Sequence, residues 1–144
     1  MSDFQTDSVW CIVPVYNNAA TVKGVALACR RHLEHVLVVD DGSTDTDVVG
    51  LFSDTDIEVV RHLENQGKGQ ALSSALRHVK EQGGSWMITV DADGQHNPDD
   101  IPSFYPVIRE FPNSILVGAR DFSGVNIPDG SRFGCKFSNF WIKL

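Results

Sequence analysis

The chain reads as an α/β domain with a mostly parallel central sheet covered by helices on both faces. Three observations point there. Short apolar runs rich in β-branched residues alternate with segments of helical apolar spacing, the pattern of strand–helix–strand units. Four of the runs end in polar clusters on their carboxyl side, and the opposite ends carry nothing comparable; parallel sheets bind ligands at that edge. At 144 residues, 42% of them apolar and 22% charged, the chain has the size and composition of one domain with a real core.

The elements follow in order. Residues 9–15 form a first strand, a continuous run around Trp10, Ile12 and Val13. Residues 21–33 have helical spacing, with Val22, Val25, Ala26 and Cys29 on one face. Residues 36–39 are a second buried strand. Ser43, Thr44, Asp45 and Thr46 offer caps for a short helix through Val49, Leu51 and Phe52. Residues 57–60 are a third strand. Residues 67–82 give the clearest helix, with Leu72, Ala75, Leu76 and Val79 as its apolar face and Gly83-Gly84 as its stop. Residues 86–90 are a fourth strand. Asn97 as N-cap and Pro98 at the first helical position start a helix running to about Glu110. Residues 115–117 are a fifth strand. The tail places Phe133, Phe137, Phe140, Trp141 and Leu144 at helical spacing among Arg132, Lys136 and Lys143, with no acid after residue 129. That pattern suits an amphipathic helix at an anionic membrane surface, and equally one docked on the domain core.

Charge and cysteine usage narrow the function classes. A net charge of −7 argues against nucleic acid as a partner. Cys11, Cys29 and Cys135 are odd in number and lack C-x-x-C spacing, which fits small hydrophobes in a reducing cytosol and gives no zinc site. The first eight residues are polar and acidic, unlike a signal peptide, and no apolar run is long enough to span a bilayer.

The chemistry gathers at the strand ends. After Val90 come Asp91 and Asp93, two carboxylates whose charges repel unless a cation lies between them; a divalent ion with oxygen ligands is the usual neutraliser. A polar Asp-Gly turn is the plainer alternative. Gln95 is a further candidate ligand, favoured over His96 by its spacing from Asp93. Asp40 and Asp41 end the second strand, where a carboxylate commonly meets a ribose or base edge, or else caps the next turn. Asn65-Gln66-Gly67-Lys68-Gly69 offers backbone N–H groups and a cation at a helix start, an anion site that matches neither the Walker loop nor the full dinucleotide fingerprint. Arg120 and Arg132 flank a loop containing Gly and Pro, and their planar charged forks suit phosphate oxygens. His32, His35, His62 and His78 lack ligand spacing and read as structural.

Together these pieces resemble the family 2 glycosyltransferases, and most of all the dolichyl- or polyprenyl-phosphate hexose synthases. The matching segments are Ile12-Val13-Pro14-Val15-Tyr16-Asn17, Val38-Val39-Asp40-Asp41-Gly42-Ser43-Thr44-Asp45, Asn65-Gln66-Gly67-Lys68-Gly69, Asp91-Ala92-Asp93-Gly94-Gln95-His96, Gly118-Ala119-Arg120 and Ser131-Arg132-Phe133-Gly134. The resemblance implies the GT-A nucleotide-diphospho-sugar transferase fold. It implies nucleotide-sugar contacts from Pro14, Tyr16, Asn17, Asp40, Asp41, Lys68, Gly69, Asp91, Ala92 and Asp93. It also implies Mg²⁺ or Mn²⁺ on Asp91, Asp93 and Gln95, with Asp93, Arg120 and Arg132 as the catalytic set. The expected reaction is an inverting transfer of a hexose from a UDP- or GDP-linked donor to a polyprenyl phosphate or other lipid or glycan acceptor. A phosphate acceptor is already an anion and needs little base, whereas a hydroxyl acceptor needs a general base that no motif here nominates.

Relatives of this kind run well beyond residue 144, so the chain is expected to be a truncated fragment. Residues 1–129 would be the donor-binding domain and residues 130–144 the start of an acceptor-side amphipathic helix. The full-length protein is expected in the cytoplasm, peripheral at the cytoplasmic face of the membrane. Two alternatives stand beside the enzyme. One is a donor-binding fragment without turnover. The other is a phosphoryl-transfer enzyme of the haloacid-dehalogenase type, whose D-x-D usually opens the domain with Thr or Val two residues after the second Asp; here Gln95 holds that place.

Overall fold

A computed structural model of the chain describes residues 8–111 and residue 116. Within it, β1 (Val9–Val15), β2 (His35–Asp40), β3 (Glu58–Arg61) and β4 (Trp86–Thr89) form one parallel sheet in the order β3-β2-β1-β4. The chain steps outward from β1 through β2 to β3, then returns to place β4 on the other side of β1. The order therefore reverses between β1 and β4, and the loops leaving those two strands part to open a crevice at their carboxyl ends.

Alternation along the strands divides the core into two layers. On one face Val9, Cys11, Val13 and Val15 of β1 meet Val22, Val25, Ala26 and Cys29 of α1 (Ala19–Arg30), with Val48, Phe52 and Ile101 completing the cluster. On the other, Trp10, Ile12, Leu37 and Val39 meet Ala71, Ala75 and Val79 of α3 (Lys68–Glu81). Cys11 and Cys29 are buried free thiols, as small hydrophobes would be. No helix among the described residues is long and apolar enough to cross a membrane.

Several boundaries differ from the sequence reading. α1 starts at Ala19 because Asp45, from the loop after β2, accepts the Ala19 N–H at 2.9 Å; the cap comes from another segment. That removes Asp45 from the caps expected for the next helix, and α2 shrinks to Val48–Leu51. α3 buries small residues, Ala71 and Ala75 with Val79, because they let the helix approach the sheet closely; Leu72 is only partly buried and Leu76 is 48% exposed. It ends as expected at Gly83-Gly84: the Gly84 N–H reaches the Val79 carbonyl at 2.8 Å and the Gly83 N–H that of Lys80 at 3.1 Å. Asn97 does cap the next helix, its side chain accepting from the Asp99 N–H. The first turns are a 3₁₀ segment (Pro98–Ser103), since Pro102 has no N–H for an α-helical bond, and α4 follows as Phe104–Glu110. The fifth strand and the tail helix fall outside the described residues.

Candidate functional site

The crevice between the β1 and β4 ends holds an open cavity of about 310 Å³. From β1 and its loop come Pro14, Val15, Tyr16 and Asn18; from the β4 loop come Asp91, Ala92 and Asp93. Asp41, Asn65, Gly67, Lys68 and Ala71 form the remaining wall. Cation, carboxylates, a half-exposed aromatic ring and amides thus converge on one space, the mixture a phosphorylated, partly aromatic ligand needs.

Asp41 organises that wall. Its carboxylate is nearly buried and accepts the N–H groups of Gln66 at 2.9 Å and Gly67 at 2.8 Å, with the His62 ring at 2.7 Å. Burial alone would raise its pKa, but these donors outweigh it, the Gln66 N–H first, and hold the carboxyl below its usual range. This corrects one expectation. The loop before α3 was read as an anion site for a ligand, yet two of its N–H groups are already taken by the protein's own Asp41. Gly67 makes the geometry possible at φ 92° and ψ 156°, a region essentially reserved for glycine.

Lys68 opens α3 and its ammonium pairs with Asp91. The pair is exposed, so it adds at most about 1 kcal/mol to stability and can re-pair when a ligand arrives. Asp93 accepts the Gln95 N–H at 2.9 Å, and the His96 Nδ1 accepts the Asp91 N–H at 3.1 Å, which fastens the turn on both sides. The Thr21 hydroxyl donates to the Ala92 carbonyl and ties the turn to α1.

The two carboxylates fit a divalent ion by donor chemistry: both are hard oxygen donors and both face the cavity. Among the described residues no group of three or more His, Cys, Asp or Glu side chains converges as a protein-only metal cage. Mg²⁺ is commonly held by one or two carboxylates together with waters and substrate phosphates, and that mode suits this arrangement.

Not every expected contact residue lines the cavity. Asp40 is wholly buried beneath it, one oxygen accepting the Ser43 N–H at 2.9 Å and the other facing Arg61 Nε at 3.4 Å. Its side chain points under the strand end because residues alternate across a sheet, so Asp40 shapes the turn and does not line the cavity. Asn17, at φ 51°, spends its side-chain oxygen on the Thr44 N–H at 2.8 Å and its own N–H on the Ser43 hydroxyl at 3.0 Å. It clamps the β1 and β2 loops together, while its neighbour Asn18 lines the cavity. Gly69 lies in the first turn of α3, away from the lining, and Gln95 is exposed beyond it. Arg120 and Arg132 lie outside the described residues. Asn18 is not singled out in the sequence, where adjacency to Asn17 is the available signal; Asn65 is named there only as part of the anion-site segment, and His62 reads as structural.

Comparison with known proteins supplies independent context. The model of the family described as "Glycosyl transferase family 2" matches residues 10–139. A UDP-N-acetylglucosamine–dolichyl-phosphate N-acetylglucosaminyltransferase of Methanococcus voltae is 28% identical over 130 residues, covering 78% of this chain and 51% of that one. An undecaprenyl-phosphate 4-deoxy-4-formamido-L-arabinose transferase of Shewanella sediminis is 31% identical, covering 76% and 35%. An undecaprenyl-phosphate mannosyltransferase of Micrococcus luteus is 28% identical, covering 81% and 49%. The chain thus spans a third to a half of the length of these relatives.

Proposed function

Because this chain belongs to glycosyl transferase family 2, we propose that its cavity binds a nucleotide-sugar, a UDP- or GDP-linked hexose, and that the protein transfers the hexose with inversion to a polyprenyl phosphate. The observation carrying the proposal is the convergence of Lys68, Asp91 and Asp93 with Tyr16 and Asn18 on the crevice between β1 and β4. Tyr16 offers a ring face for the base, and Asn18 and Asn65 offer amide groups for ribose and base edges. Lys68 supplies positive charge for the diphosphate once released from Asp91. Asp91 and Asp93 would hold Mg²⁺ or Mn²⁺, with Gln95 as a further oxygen donor. When bound, the ion would supply Lewis-acid neutralisation of the departing diphosphate.

The relatives named for dolichyl- and undecaprenyl-phosphate support a lipid-phosphate acceptor. Such an acceptor is already anionic, so the chain's own residues need only exclude water and orient the donor. Arg120 and Arg132 are proposed to add charge near the phosphates, and the basic, aromatic segment after residue 129 to meet the cytoplasmic face of the membrane. A second reading is donor binding without turnover.

Calorimetry tests the donor site. GDP or UDP should bind in the presence of Mn²⁺ and lose affinity on chelation, and Asp93→Ala should weaken metal-dependent binding by about tenfold through loss of a ligand. Binding that ignores both chelator and substitution would remove the metal assignment. Hexose transfer to a polyprenyl phosphate separates the enzyme from the binding module.

A further inference from the structure

Ser74, His62 and Asp41 form an unbroken hydrogen-bonded row. The Ser74 hydroxyl lies 2.9 Å from His62 Nε2, and His62 Nδ1 lies 2.7 Å from Asp41 Oδ1. His62 is 9% exposed and Asp41 3%, so that end of the row is shielded from water, while Ser74 is partly exposed. The order Ser–His–Asp is that of a hydrolase triad, but the surroundings argue against a nucleophile. Ser74 sits inside α3, where backbone N–H groups are committed to the helix and form no oxyanion hole. It also does not line the cavity.

The polarity of the row follows from its ends. Asp41, with its pKa held low, is a pure acceptor, so Nδ1 must carry a proton. In the neutral ring Nε2 is then the acceptor, and the Ser74 hydroxyl donates to it. Asp41 in turn receives the Gln66 and Gly67 N–H groups immediately before Lys68. Oδ1 of the carboxylate takes both the His62 ring and the Gln66 N–H, and Oδ2 takes the Gly67 N–H, so the group held from α3 through His62 is the one that fixes the loop presenting Lys68. Without the ring, Asp41 could rotate within its turn and release that loop.

We infer that His62, oriented by Ser74, is a positioning residue for the nucleotide-sugar site: it locks Asp41 so that the Gln66–Gly67 loop presents Lys68 to the diphosphate. This rests on the donor-site reading above.

The two ring nitrogens can be tested separately. An Asn amide reproduces the Nδ1 side of histidine and a Gln amide the Nε2 side. His62→Asn should keep GDP or UDP affinity within about threefold, while His62→Gln and His62→Ala should lose about tenfold, the effect of one hydrogen bond to a charged group. Ser74→Ala should fall between. The Gly67 amide resonance should move in the Gln and Ala variants and stay in place in the Asn variant. Imidazole ¹⁵N shifts of the unsubstituted protein should report the Nδ1–H tautomer. Equal losses in the Asn and Ala variants with melting temperatures unchanged, a fixed Gly67 resonance in all of them, or an Nε2–H tautomer would each overturn the inference. If the Ala variant does not fold, the Asn–Gln pair and the tautomer decide. If the unsubstituted protein binds neither nucleotide, the donor-site reading fails, and the Gly67 resonance and tautomer still decide the role of His62.

Discussion

Asp41→Ala should destabilise the domain far more than an ordinary substitution at a ligand site. The carboxylate accepts three hydrogen bonds, from Gln66, Gly67 and His62, at 2.7 to 2.9 Å. Hydrogen bonds to charged groups contribute about 1.5–3 kcal/mol each, and a buried donor left unpaired costs about 1–3 kcal/mol. Simple addition gives about 5–9 kcal/mol, an overestimate, because the Gln66–Gly67 loop lies near the surface and can turn its N–H groups to water. His62 cannot, being buried. We therefore expect a loss of about 3 kcal/mol, or on the order of 10 °C in melting temperature for a domain of this size. Asp41→Asn should lose less, since an amide oxygen still accepts. The pH dependence separates the charge from the shape. Asp41 has a depressed pKa in the folded state, so its contribution is fully present above the unfolded-state value of about 4 and is lost as pH falls through the folded value. In that window the unfolded chain binds more protons, and stability rises with pH. Asp41→Asn should flatten this part of the acid limb. Urea unfolding from pH 2 to 7 measures both effects. An Ala variant within about 0.5 kcal/mol of the parent, or an unchanged acid limb in the Asn variant, would refute the anchoring role.

Three further outcomes follow from the fold. Gly42→Ala should cost about 2–4 kcal/mol by chemical denaturation, because residue 42 sits at φ 73° and an added Cβ would lie 2.5 Å from the Glu64 backbone carbon. Asp45→Ala should cost about 0.5–2 kcal/mol through loss of the α1 cap, with amide exchange at Ala19 speeding up. Leu76→Ala should be nearly neutral and Val79→Ala should cost about 2 kcal/mol in the same assay, because only Val79 is buried against the sheet.

How much was legible depends on how local the cause is. Residues 9–15 and the α3 segment were legible because an apolar run and a helical period are properties of neighbours in sequence. The Schellman stop at Gly83-Gly84 and the Asn97 cap were legible for the same reason. The Asp91–Asp93 pair could be assigned to a strand end without knowing the fold. Leu76 misled because periodicity identifies an apolar face, not the depth to which each residue on it is buried.

Other features needed the tertiary structure. Asp40 and Asp41 are adjacent and chemically identical, and only the pleat of β2 sends one beneath the cavity and the other toward it. The anion at the start of α3 is Asp41, supplied from 26 residues away in sequence. His62 read as structural, and only the fold shows what it holds, with its ring between Asp41 and Ser74. Sequence by itself determined the α/β class, the edge of the sheet that carries the chemistry and the family resemblance, since all three rest on patterns within short segments. Only the tertiary structure decided which polar side chains face the cavity and which are consumed in holding it open. Each strand-end carboxylate and loop amide has several possible partners, and the strand order β3-β2-β1-β4 selects among them.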